Sequence, residues 1–226
     1  MFYFDSTYLI LVPALIIAAI AQGKLSSTYN KYKRIANSRG ISGAMVARRI
    51  LDENGLYDVP VCRVGGHLSD HYHPTRRTVN LSSDVYDNAS IASICIAAHE
   101  CGHAIQHKES YAPLVLRSAI APVAQFASSA SMILIIIGII FGLFNLSMIG
   151  IIFFSITVIF QVITLPVEFN ASKRALQIIK SDNIVDVNEL KGAKKVLSAA
   201  AMTYVAATLV AALQLLRFFL LARGRD

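Results

Sequence analysis

The sequence predicts a mainly α-helical integral membrane protein, with about four transmembrane helices and a small α+β domain on the cytoplasmic side. Three observations carry this. Hydrophobic residues make up 55% of the 226 residues and charged residues only 15%, whereas soluble domains carry roughly 25% charged residues. Residues 118–167 contain no Asp, Glu, Lys or Arg; a bilayer crossing takes about 20 apolar residues, so this stretch alone can cross twice. The remaining Lys and Arg gather in two loops, as cytoplasmic loops require. The same composition excludes a disordered chain, collagen, a coiled coil and a disulfide-rich secreted scaffold. The net charge of +7 does not indicate nucleic acid, because no basic patch is interleaved with aromatics.

The first span runs over about residues 6–23, with 9–21 as its apolar heart. Asp5 is the only charge before it, so it lacks the basic start of a signal peptide and reads as a retained anchor. Pro13 and its short length leave an interfacial helix as the alternative. The second and third spans, 121–143 and 148–166, read as a tight hairpin joined by the uncharged Phe144-Asn145-Leu146-Ser147. The fourth is 196–216, with Arg217 placed to snorkel to the interface; its Ala-rich first half also fits a buried soluble helix.

Orientation follows from charge. Lys24, Lys31, Lys33, Arg34, Arg39, Arg48 and Arg49 follow the first span, and Lys173, Arg174, Lys180, Lys191, Lys194 and Lys195 lie between the third and fourth. The N-terminal tail and the hairpin tip carry no Lys or Arg. Both loops therefore belong in the cytoplasm and both termini outside; Arg223 and Arg225 dissent mildly. The division is an anchor (1–23), a catalytic domain (24–117), a hairpin (118–167), a cytoplasmic segment (168–195) and a last helix with its tail (196–226). Cys62, Cys95 and Cys101 show no C-x-x-C spacing and an odd count, which fits reduced thiols.

Within 24–117, Ser42 before Met45, Val46, Ile50 and Leu51 reads as a capped helix ending near Asn54-Gly55. Residues 59–64 and 77–81 read as strands. Asp87 or Asn88 then caps a long helix through about Lys108. Inside it, His99-Glu100-Cys101-Gly102-His103 fits H-E-x-x-H. Residues four apart share a helix face, so two imidazoles can grip one zinc ion, and Glu100 can serve as general base of a metallopeptidase. The flanking Ile94, Ile96, Ala97, Ala98, Ala104 and Ile105 make this a buried helix, where two His and a Glu are costly without a metal.

A catalytic zinc takes a third protein ligand. The extended form of the motif fails, with Gln106 where Gly and Glu109 where His would stand. Cys101 lies about 200° around the helix from His99 and points away. Glu168, the first charge after the uncharged stretch, is the better candidate; its alternative is a plain interface carboxylate. His67, His71 and His73 read either as a second metal site or cleft rim, or as a polar loop turning at Pro74. His107 continues the His99, His103 stripe by four, and reads as near the cleft or as exposed.

These residues resemble the YugP-like family of bacterial membrane zinc metallopeptidases over nearly the whole chain. The matching stretches are Ser69-Asp70-His71-Tyr72, Leu81-Ser82 with Val85-Tyr86, and Ala97 through Gln106. Leu165-Pro166-Val167-Glu168-Phe169, Ala171-Ser172 and Thr203 through Ala207 complete them. The family is similar in layout to the HtpX-type proteases, which place a glutamate ligand on a later helix. The resemblance implies a zincin-like peptidase with one zinc ion on His99, His103 and Glu168 and with Glu100 as base. It implies that Asp70-His71-Tyr72 could lie near the zinc and help hold the oxyanion. His73 and Asn170 stand where the family pattern has Asp; the partner that orients a histidine, for which Asn170 is a candidate, is therefore open. The expected partners are the lipid bilayer and a peptide or membrane-protein substrate met at the cytoplasmic face of the bacterial plasma membrane. Two other readings are a non-catalytic zinc-binding scaffold and a site-2-type protease with its site inside the bilayer. Glu100 argues against the first; Asp84, Asp87 and Lys108, with no later L-D-G, argue against the second.

Overall fold

The computed structural model describes residues 6–223; Asp5 and Arg225 lie outside them. A 3-10 turn, Ser6–Ile10, leads into α1 (Val12–Lys33). Then come α2 (Gly43–Glu53), β1 (Val61–Val64), β2 (His71–His73), β3 (Thr78–Ser82), α3 (Ser83–Tyr86), α4 (Ile91–Lys108), α5 (Ala112–Ile140), α6 (Phe144–Ser181) and α7 (Val187–Arg223). The chain divides into two compact units. One takes in residues up to Gln22, Val115–Pro166 and the stretch from Thr203; the other takes in Gly23–Leu114 and Val167–Met202.

In the first unit, α5 and α6 form the expected hairpin, with its tip at 141–143 rather than 144–147. Gly142 sets the difference. Its φ of +70° lets α5 end in a left-handed cap, with the Leu143 N–H donating to Gly138 O at 2.8 Å. Phe144 to Ser147 then form the first turn of α6. That helix passes through Pro166 without a break, so the expected end of the span there is a mid-helix position. Among the described residues, three helices are long and apolar enough to cross a membrane: Ala112–Ile140, Phe144–Ser181 and Val187–Ala222. α1 is not among them; Gln22, Lys24, Ser26 and Ser27 interrupt its apolar run. Arg217 does not snorkel: only 6% exposed, it stacks on the Tyr8 ring at 3.5 Å and donates from Nε to Thr7 Oγ1 at 3.2 Å. The ring face and the hydroxyl take the place that water would hold around an exposed guanidinium.

In the second unit, the three strands are ordered β1-β3-β2. β1 runs parallel to β3 (Val61 opposite Val79) and β2 antiparallel to it (Tyr72 opposite Val79). The core joins Val46, Ile50 and Leu51 of α2, Val79 and Leu81 of β3, Ile94, Ala98 and Cys101 of α4, and Ala175 and Ile179 of α6. Ser42 caps α2 as expected, its Oγ accepting from Met45 N at 3.4 Å.

Three elements depart from expectation. β1 starts at Val61 because Pro60 has no N–H and the Val59 carbonyl accepts from Arg48 Nη1 at 2.6 Å. His71–His73 is a strand, since the 74–77 turn folds it onto β3. The long helix is capped by Ser90, whose Oγ accepts from Ser93 N at 3.1 Å. Asp87 is instead engaged by Arg63 at 2.7 Å, and Asn88 donates to Asp84 O.

Candidate metal centre

α4 sets His99 and His103 one turn apart, with ring centroids 4.8 Å from each other. α6 brings Glu168 to them: its Oε2 lies 3.2 Å from His99 Nε2 and 3.6 Å from His103 Nε2. One ligand atom from each of the three lies within 4.8 Å of the others. Close helix packing makes this approach possible. A Cβ on Gly102 would sit 2.9 Å from Ala171 O and 3.3 Å from Ala171 Cα, so only glycine lets the two backbones touch here, three residues from Glu168. Gly102→Val is expected to lower the melting temperature, overpacking costing about 1–3 kcal/mol, and to reduce bound metal with it. Wild-type melting together with wild-type metal content would show that the contact does not set the site.

The outer ring nitrogens are occupied. His103 Nδ1 lies 3.0 Å from Gln106 Oε1 and His99 Nδ1 lies 3.2 Å from Ser172 Oγ. With Nδ1 protonated, both Nε2 lone pairs and the Glu168 carboxylate converge on one point. Three acceptors facing each other in a buried place require a cation between them. Glu168 is 3% exposed and His103 8%. Burial by itself lowers the His103 pKa, but the Glu168 hydrogen bond and the Glu100 and Glu168 charges raise it above its ordinary value. Two imidazoles and one carboxylate make a three-ligand set of the catalytic zinc type, with a position left for water or substrate.

Glu100 sits beside this cluster, buried, its Oε2 accepting from Tyr72 N at 2.8 Å. The β2 backbone thus fixes one carboxylate oxygen. The Tyr72 hydroxyl pairs with His107 Nδ1 at 2.8 Å, so His107 is half-buried against β2. Cys101 faces away from the cluster, its Sγ 3.5 Å from Ala47 O, and burial pushes its thiol pKa up.

The other expected residues make the following contacts. Asp70 accepts from Ser82 N at 2.7 Å and Ser82 Oγ at 3.1 Å; burial raises its pKa against those bonds. His71 is exposed, with Nδ1 on Ser69 O at 2.8 Å and Nε2 near Asn80 Nδ2 at 3.3 Å. His67 pairs with Asp84 and His73 accepts from Arg76 N, so the three loop histidines do not form a second cluster. Asn170 Oδ1 accepts from Gln106 Nε2 at 2.9 Å and Arg174 Nε at 2.7 Å, so among the described residues it reaches His103 through Gln106 rather than by a hydrogen bond of its own. Sequence reasoning missed Gln106 and Ser172 as contacts of the site; Tyr72, expected near the zinc with Asp70 and His71, contacts Glu100 through its backbone N–H. A buried amide three residues after His103, on the same helix face, was the available signal for Gln106.

A family model described as "Putative neutral zinc metallopeptidase" matches residues 7–223. The chain is 55% identical to a "Putative membrane protease YugP" of Bacillus subtilis (strain 168), over 95% of this chain and 96% of that one. No solved structure matches it. The donor set, its burial and the match along nearly the whole chain agree, and the chain belongs to this neutral zinc metallopeptidase family.

Proposed function

We propose that the chain is a membrane-embedded zinc metalloendopeptidase that hydrolyses peptide bonds at the cytoplasmic face of the bacterial plasma membrane. The observation that carries this is the convergence of His99 Nε2, His103 Nε2 and Glu168 Oε2 beside a buried glutamate held by the Tyr72 backbone N–H. His99, His103 and Glu168 would hold the metal. A zinc ion so held acidifies water and polarises a peptide carbonyl. Glu100 takes the proton from the attacking water and hands it to the leaving amine. Tyr72 N keeps Glu100 turned toward that exchange, and the buried walls of α4 and α6 keep bulk water from levelling the charges. The β2–β3 pair and the motif helix support a zincin-like architecture.

Purified protein in detergent tests the reading. It is expected to hold zinc and to cleave an unfolded protein, to stop when a chelator strips the metal, and to recover with added zinc. Cleavage that persists without metal would overturn it.

The first apolar run is taken as a fourth crossing, which makes the basic residues of both loops cytoplasmic. Glu168 ends the long uncharged stretch, which favours membrane proteins, or segments emerging from the bilayer, as substrates. In a cysteine-free background, a membrane-impermeant thiol reagent applied to intact cells is expected to label a cysteine placed at Asn145 and spare one at Ser69. The reverse pattern would overturn the orientation.

A further inference from the structure

Gln106 is fully buried and uses its whole amide. Oε1 faces His103 Nδ1 at 3.0 Å, while Nε2 donates to Val167 O at 2.8 Å and Asn170 Oδ1 at 2.9 Å. The direction of each bond is forced from the two ends of the chain. A backbone carbonyl only accepts, so Val167 O must meet the Gln106 NH2 group. A guanidinium only donates, so Arg174 Nε, 2.7 Å from Asn170, must meet the Asn170 oxygen. That turns the same oxygen toward Gln106 as a second acceptor. Gln106 cannot flip without setting its oxygen against both acceptors. Oε1 is therefore held toward His103, and the His103 proton must sit on Nδ1. Arg174 is itself anchored by Glu109, at 2.6 Å. His99 has no such constraint, because the Ser172 hydroxyl can donate or accept.

We propose that Gln106 is a positioning residue for the metal centre: it fixes His103 with Nδ1 protonated and Nε2 bare, and it ties that ring to the turn of α6 that carries Glu168. The second half follows from Val167 being the residue before Glu168. A single side chain of α4 thus sets one ligand's tautomer and the third ligand's backbone. The amide is neutral where many sites use a carboxylate partner for the ligating histidine, so the orientation is gained without a further buried negative charge beside Glu100 and Glu168.

This rests on the metal-centre reading, and two variants with two readouts keep the two separable. Gln106→Met keeps the size and removes every polar contact. Gln106→Glu keeps an acceptor for His103 but sets a carboxylate against Val167 O and Asn170 Oδ1. In full-length protein in detergent, zinc affinity measured by competition with a fluorescent chelator is expected to fall about 10- to 100-fold in both, the size seen when an outer partner of a ligand is lost. Affinity within twofold of wild type in Gln106→Met would overturn the proposal, and the same result in Gln106→Glu alone would overturn the tie to Glu168. The second readout needs no metal. In nitrogen-15 spectra of histidine-labelled, metal-free protein in alkaline buffer, His103 is assigned by its loss in His103→Gln. Wild type should show the Nδ1-protonated tautomer and Gln106→Met a mixture. If wild type binds no zinc, the metal reading falls and this spectrum decides the tautomer half by itself: an unchanged His103 tautomer in Gln106→Met overturns it. A merely structural amide would lower the melting temperature and leave the tautomer as it was.

Discussion

Glu100→Gln is expected to keep its zinc and to lose about 10²- to 10⁴-fold in peptide cleavage, the range that general acid–base groups supply. The substitution is close to isosteric, and Glu100 is not one of the three converging donors. The amide oxygen can still accept from Tyr72 N, which holds Oε2 at 2.8 Å, so the local frame survives. What is lost is the second oxygen's ability to take a proton from water. The check is zinc per chain together with cleavage of an unfolded protein, both on wild type and variant. Full turnover in the variant would remove Glu100 from the chemistry. A wild type that binds zinc stoichiometrically and cleaves no peptide would favour a zinc-binding scaffold instead.

The parts of this site readable in the sequence are those that repeat at a fixed spacing or interrupt a run. Two histidines four apart on a helix must share a face, whatever surrounds them. Glu168 was visible because it breaks the uncharged stretch of residues 118–167. The helices were legible for a similar reason, although α5 starts nine residues earlier than expected and α6 runs on to Ser181. Apolar runs mark where lipid is met; they say nothing of helical turns continuing past them. β2 stayed hidden because a three-residue strand of His-Tyr-His has no apolar alternation, and its pairing with β3 is decided by a turn. Gln106 stayed hidden because its partners, Val167 and Asn170, lie on another helix, and no local spacing announces a contact between two helices. Gly102 is the bridge between these levels. Its lack of a side chain is written in the motif, but the close approach to Ala171 appears only in the packed structure.

Glu168→Ala is expected to abolish zinc binding at stoichiometric concentration while leaving the chain folded. The carboxylate is the only anion among the three converging donors, and without it two neutral imidazoles are left to hold a dication. Losing a ligand should cost more than the 10- to 100-fold that losing an outer partner costs. Folding should suffer less. Glu168 is almost fully buried; its removal spares the desolvation of a carboxylate, which is set against the loss of its contacts with the two imidazoles. The two effects separate in a melting experiment with and without zinc. A ligand that binds only the folded state stabilises it by about 2.7 kcal/mol at 100 times its Kd, so zinc should raise the melting temperature of wild type and of Glu100→Gln. It should leave Glu168→Ala where it was. Glu168→His, which restores a third donor of a zinc-binding type, should recover part of the shift. A zinc-dependent rise in Glu168→Ala equal to that of wild type would mean that the third ligand is some other group, and the His99–His103–Glu168 assignment would fall with it.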